Sequence, residues 1–237
     1  MNRDETLRAR DGGRFTAYIA VPPKSRAPGL LLMQYISGVN RVMRSLADRF
    51  AAAGFLVACP DLFWRQQPNV QINNDPSRPD PAEQKRALEL NSGFRDDTGI
   101  LDLTATLDYL RAHPQCSGKA GALGYCLGGR LAYLMAARSD IDCSIGYYGV
   151  NIQSYLDESP VIRRPLMLHI PERDELCPLD TRNRIVGALR SCPHATVHVY
   201  PGARHAFALE GGPNFDAAAA ALANRRSLEF LGQHLAH

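Results

Sequence analysis

The stretch Lys119–Arg138, KAGALGYCLGGRLAYLMAAR, decides the fold. An apolar run ends in Gly124-Tyr125-Cys126-Leu127-Gly128-Gly129, and a helical pattern with Leu131, Leu134 and Met135 on one face follows at once. This is a strand–turn–helix of the kind that displays a nucleophile, the G-x-S-x-G elbow, here with Cys in place of Ser. Side chains two positions either side of the nucleophile would collide, which gives Gly124 and Gly128 a steric reason. At the head of a helix the backbone N–H groups and the dipole favour a thiolate, and the N–H of Leu127 is placed to donate to an oxyanion. The alternative for Cys126 is a small buried residue in a glycine-rich turn.

Outward from this point, strand-length apolar runs alternate with segments of helical period, the pattern of a mostly parallel sheet with helices on both faces. Strands are expected near Phe15–Ala20, Gly29–Gln34, Phe55–Cys59, Ala120–Tyr125, Ile141–Tyr147, Pro165–Ile170 and Ala195–Tyr200. Helices are expected near Arg41–Ala53, Pro81–Asn91, Thr98–Ala112, Leu127–Ala137, Leu179–Leu189 and Asn214–Leu235. Pro22–Pro28 and Gln66–Asp80 read as surface connections, because strand–helix alternation resumes after each, so residues 1–237 are expected to form one domain of about seven or eight strands.

Composition narrows the function. The 237 residues are 45% apolar and 22% charged, and 27 Lys and Arg against 24 Asp and Glu leave a net charge of +3. With no long basic run, nucleic acid is not an expected partner. No stretch approaches a membrane span and the start lacks a signal-peptide core, so the expectation is a cytoplasmic protein with no membrane partner, a monomer or small homo-oligomer. Six scattered cysteines without a C-x-x-C pair suggest neither a disulfide scaffold nor a metal site, and no cofactor is implied.

A nucleophile on this scaffold needs an acid after a later strand and a histidine after the last one. Asp174, with Glu172 and Glu175 as nearby substitutes, follows the strand Pro165–Ile170, and His205 follows Ala195–Tyr200. Loops at the carboxyl ends of parallel strands converge, which makes a Cys126–His205–Asp174 triad geometrically possible. His205 would take the thiol proton and Asp174 would hold the imidazole's tautomer. Taken singly, a loop Asp is a turn or cap residue and a loop His a solvated group. The other six histidines, His169 among them, are assigned to surface or strand packing.

These residues give the chain a resemblance to the dienelactone hydrolase family, the cysteine branch of the α/β-hydrolases, over about Phe15 to Leu235. It rests on Gln34, Gly38-Val39-Asn40, Cys59-Pro60-Asp61-Leu62, Gly124 to Gly129, Gly146-Tyr147-Tyr148-Gly149-Val150, Asp174 and His205-Ala206-Phe207. The resemblance implies the α/β-hydrolase fold, that Cys126, Asp174 and His205 are the triad, and that the N–H groups of Ile36 and Leu127 form the oxyanion hole. It also implies hydrolysis of a small-molecule ester or lactone through a thioester.

Departures from the family bear on substrate. Its best-known members carry a Glu where this chain has Tyr35, and a phenol cannot act as a carboxylate base at neutral pH. Tyr35 is either a hydrogen-bond donor to substrate or an aromatic wall. Two arginines that grip a substrate carboxylate fall on Gln84 and Leu209, so a clamp would have to be rebuilt from Arg86, Arg65 or Arg204, each otherwise a solvated residue. Phe63, Trp64, Leu88, Tyr147 and Phe207 are candidate pocket linings, Trp64 as a mobile cover, although each is an ordinary core type. Two other readings stay open: a hydrolase preferring activated aryl esters, thioesters or phosphotriesters, and a non-catalytic ligand-binding relative.

Overall fold

A computed structural model describes residues 2–73 and 80–236, so part of the Gln66–Asp80 connection lies outside the described residues. In chain order the elements are β1 (Arg3–Arg8), β2 (Arg14–Ala20), β3 (Ala27–Met33), α1 (Arg41–Ala52), β4 (Leu56–Pro60), α2 (Pro81–Gly93), α3 (Asp96–Ala112), β5 (Cys116–Tyr125), α4 (Leu127–Arg138) and β6 (Cys143–Tyr147). A 3-10 helix (Ile152–Val161), β7 (Leu166–Arg173), α5 (Leu179–Arg190), β8 (Ala195–Arg204) and α6 (Ala217–Leu235) complete them. The strands form one eight-stranded sheet in the order β1-β2-β4-β3-β5-β6-β7-β8, the α/β-hydrolase arrangement expected from the sequence. Its contacts cluster into two compact units, Met1–Gly121 and Ala122–His237.

In the first unit β2 runs antiparallel to both β1 and β4, while β3 and β4 are parallel. The hairpin strand β1 was not expected, because RDETLR carries only one fully buried residue, Leu7. Charged edge strands trade apolar pattern for protection against unwanted pairing, and so hide from a hydrophobicity scan. By contrast β4 is buried at every position, the continuous apolar run that parallel sheets require. Asn40 caps α1 by accepting from Met43 N at 3.1 Å, and Met43, Leu46, Ala47 and Ala51 give the helix its buried face.

The second unit has β6, β7 and β8 parallel, with β7 buried from Leu166 to Pro171. Helix α4 is buried from Leu127 to Ala136. Helix α6 starts at Ala217 rather than near Asn214 because Asp216 accepts from Ala218 N and Ala219 N and so fixes the first turn. All six cysteines are buried and carry free thiols. Among the described residues no helix is long and apolar enough to cross a membrane.

Candidate active site

Cys126 stands between β5 and α4 at φ 55 and ψ −110, a left-handed conformation unusual for a residue with a side chain. Such backbone costs about 1–3 kcal/mol and survives only where its surroundings fix it. Here Cys126 N donates to Tyr147 O at 3.0 Å, and Arg130 N and Val150 N both donate to Cys126 O, at 3.2 and 3.4 Å. The glycines are required for close approach: a Cβ on Gly124 would strike the Gly128 carbonyl, and one on Gly129 would lie 2.5 Å from Tyr147 O. The turn therefore holds the thiol at the head of α4 with 8% of the residue exposed.

Asp174 and His205 meet this thiol from the ends of β7 and β8. His205 Nδ1 lies 2.8 Å from Asp174 Oδ2, with side-chain exposures of 18% and 1%. The other carboxylate oxygen accepts from Leu176 N at 2.9 Å, so the acid is fixed by its own loop. His205 is hydrogen-bonded to Cys126 as well. Burial alone would depress the imidazole, but the hydrogen bonds to Asp174 and Cys126, with the charges of both, outweigh it and push His205 up to about 10. The loop around the base is laced: Asn214 Nδ2 donates to His205 O at 3.0 Å, and Ala206 takes φ 65. Glu172 and Glu175 do other work, accepting from Gly202 N at 2.8 Å and from Arg204 at 3.0 Å.

Tyr147 and Phe207, expected to line a pocket, are fully buried and back the site instead. Tyr148 faces the base, its ring set edge-on at 5.1 Å from the His205 ring and its backbone at φ 38. Sequence reasoning passed over Tyr148 although it lies in Gly146-Tyr147-Tyr148-Gly149-Val150; the signal was a conformationally demanding turn at the carboxyl end of a strand. Leu209 is half-buried, its N–H on Ala206 O at 3.0 Å.

The remaining predicted residues lie in the first unit. Tyr35 and Ile36 follow β3 and are half-buried, and the Tyr35 hydroxyl accepts from Asn40 Nδ2 at 2.8 Å. Trp64 is tethered: its Nε1 donates to buried Asp102 at 2.8 Å, its ring stacks on Phe15, and the Arg65 guanidinium lies over it. That is a fixed wall, which corrects the expectation of a mobile cover. None of the three arginines considered for a clamp lacks a protein partner. Arg65 grips Asp102 and Asp11, Arg204 binds Glu175, and half-exposed Arg86 donates to Glu83 and Gln67. Phe63 is core, packed on Phe94, whereas Leu88 is exposed.

The model of the dienelactone hydrolase family matches residues 15–235. Carboxymethylenebutenolidase 1 of Cupriavidus pinatubonensis is 39% identical over 225 residues, covering 95% of this chain and 94% of that protein. An Azospirillum brasilense protein to which the name carboxymethylenebutenolidase is provisionally attached is 42% identical, covering 98% and 99%. Among solved structures, a Klebsiella pneumoniae chain provisionally named a dienelactone hydrolase superposes with a TM-score of 0.83 at 25% identity, over 98% of each chain. A strained strand–turn–helix at Cys126, then a buried acid and a histidine paired with it, in this order on this sheet, with that match over nearly the whole length, mean that the chain belongs to the dienelactone hydrolase family.

Proposed function

We propose that the protein hydrolyses a small carboxylic ester or lactone through an acyl thioester on Cys126, without a cofactor. The observation that carries this reading is His205, joined by hydrogen bonds to Asp174 on one side and Cys126 on the other. Relatives bearing the name carboxymethylenebutenolidase support the lactone side of the assignment.

The proton of Cys126 passes to His205 Nε2, since Nδ1 is engaged with Asp174. The thiolate attacks the carbonyl carbon, and the developing oxyanion is held by Leu127 N–H. As the tetrahedral intermediate collapses, the C–O bond to the leaving group breaks and His205 returns its proton to that oxygen. Water, deprotonated by His205, then attacks the thioester, and the acid leaves with the thiol restored. Asp174 keeps the ring oriented throughout.

The three engaged arginines favour a substrate without a carboxylate, since recruiting any of them would first break an existing ion pair or hydrogen bond. Turnover of p-nitrophenyl acetate, a carboxylated enol-lactone and an aryl phosphotriester, each with wild type and Cys126→Ala, tests the reading. We expect the neutral ester to be cleaved faster than the lactone acid, and Cys126→Ala to lose both turnover and labelling by iodoacetamide. Undiminished hydrolysis by Cys126→Ala overturns the mechanism; preference for the phosphotriester moves the substrate class.

A further inference from the structure

Behind the triad a single chain of hydrogen bonds crosses the interior of the second unit. Arg226 Nη1 lies 3.2 Å from Tyr200 Oη, Tyr200 Oη 2.7 Å from His169 Nδ1, and His169 Nε2 2.9 Å from Ser227 Oγ. Ser227 Oγ lies 2.7 Å from Tyr147 Oη, and Tyr147 Oη 3.0 Å from Asn224 Oδ1. His169, Ser227, Tyr147 and Tyr200 are all buried, so each bond that fails leaves a polar atom with no water to replace its partner.

The two ends set the direction. A guanidinium can only donate, so the Tyr200 oxygen accepts from Arg226 and spends its own proton on His169 Nδ1. His169 is then the Nε2–H tautomer and donates to Ser227, Ser227 donates to Tyr147, and Tyr147 donates to the Asn224 amide oxygen. Reversal would turn the Tyr200 proton away from His169 Nδ1 and set the Tyr147 oxygen against Asn224 Oδ1.

Both ends of the triad's support hang on this chain. Tyr147, next to its Asn224 end, accepts the Cys126 N–H through its carbonyl, which locks the strained elbow. Tyr148, next along, donates its N–H to His169 O at 2.8 Å and sets its ring against His205. Tyr200 stacks at 4.9 Å on Phe207, two residues beyond His205, and Phe207 packs on Tyr148 at 5.6 Å. We infer that the directed chain Arg226–Tyr200–His169–Ser227–Tyr147–Asn224 is a positioning device, holding the Cys126 elbow and the aromatic wall of His205 in register with one another. A local rotation of Tyr147 would move the carbonyl that anchors the nucleophile, and sub-ångström misplacement of reacting groups is costly in rate.

The inference rests on the proposed hydrolysis for its kinetic arm only. Ser227→Ala and Tyr147→Phe each break the chain in a different element, so one folded variant suffices. We expect kcat for p-nitrophenyl acetate to fall about 10-fold in either, with KM changed less than about two-fold, because geometry at the reacting atoms is lost and binding is not. The double variant should be no worse than the single ones, and Ser227→Thr should recover most of the rate. The rate of Cys126 alkylation by iodoacetamide against pH should shift in the broken variants, and this readout needs no substrate. His169 is faced there by His198, stacked at 5.8 Å, Tyr200 and Tyr147, and from α6 by Ser227 and Arg226, so their titration is followed alongside. Nitrogen chemical shifts should report His169 as Nε2–H. Folded variants with wild-type kcat and alkylation profile, lowered only in melting temperature, overturn the positioning role; an Nδ1–H tautomer overturns the direction. Wild type that cleaves no ester defeats the proposed function and leaves the alkylation and tautomer results to decide this one.

Discussion

His169 and His205 are imidazoles of the same unit, one within β7 and one just beyond β8, and their surroundings shift them in opposite directions. Burial, together with nearby His198 and Arg226, holds His169 well below the usual histidine range. His205 is also mostly enclosed, yet its hydrogen bonds to Asp174 and Cys126 overcome burial and carry it up to about 10. Depth therefore does not decide the direction of the shift; the partner does. A ring bonded to hydroxyls is pushed toward its neutral form, as the proposed strut requires, whereas one beside a carboxylate and a thiol gains proton affinity, as the proposed base requires.

The largest effect should come from removing what separates the two. Asp174→Asn keeps the shape and cancels the carboxylate, and kcat for the proposed ester hydrolysis should fall by about 10³-fold or more, the scale seen when a triad acid is neutralised. In an NMR titration His205 should move down toward the ordinary histidine range. If His205 in Asp174→Asn stays protonated well above neutrality, the contrast between the rings has another origin.

Stability against pH should carry both signs. His205 is raised in the folded state, so its contribution is complete below the unfolded value near 6.5 and is lost as pH climbs toward 10. The shift corresponds to an upper bound near 5 kcal/mol, and partial exposure of the ring brings the expectation to ~2–3 kcal/mol. His169 is lowered, so below pH 6.5 the unfolded chain takes up a proton that the native state refuses, and stability falls by up to ~1.4 kcal/mol per pH unit, with His198 adding in the same sense. Urea midpoints from pH 5.5 to 10 for wild type, His205→Gln and His169→Phe separate the limbs: the first variant should flatten the alkaline limb and the second the acid one. A wild-type alkaline limb that survives His205→Gln unchanged would assign it to other groups.

What the sequence revealed and what it hid follow the same division. Seven strands, six helices and the sharp turn at Cys126 were legible because each rests on local rules: apolar runs for buried strands, 3.6-residue periods for helices, and glycine spacing for a sharp turn. β1 was not, since its charged residues serve edge protection. The 3-10 helix at Ile152–Val161 was not either; it carries Pro160 and a kink at Tyr155 in place of a steady helical period. His169 was correctly placed among packing residues, but its partners Tyr200, Ser227 and Tyr147 come from three other elements. No spacing rule joins β6, β7, β8 and α6, and only the fold shows that their hydroxyls line up. Trp64 misled for a related reason, because its tether Asp102 lies within α3, far along the chain.

The smallest expected effect tests whether α6 matters for its helicity or for the side chains it inserts. Asp216 caps α6 by accepting two backbone N–H bonds, from Ala218 and Ala219, so Asp216→Ala should cost ~1 kcal/mol, the ordinary worth of an N-cap. The helix body stays in place through Ala220, Ala223, Phe230 and Leu231, which are buried, and so Ser227 and Arg226 keep their positions. Urea unfolding should show the loss, while kcat, KM and the alkylation profile of Cys126 stay at wild-type values. Were Asp216→Ala to lower kcat as far as Ser227→Ala does, any loosening of α6 would suffice, and the distinction between a neutral strut at His169 and a mere packed helix would collapse.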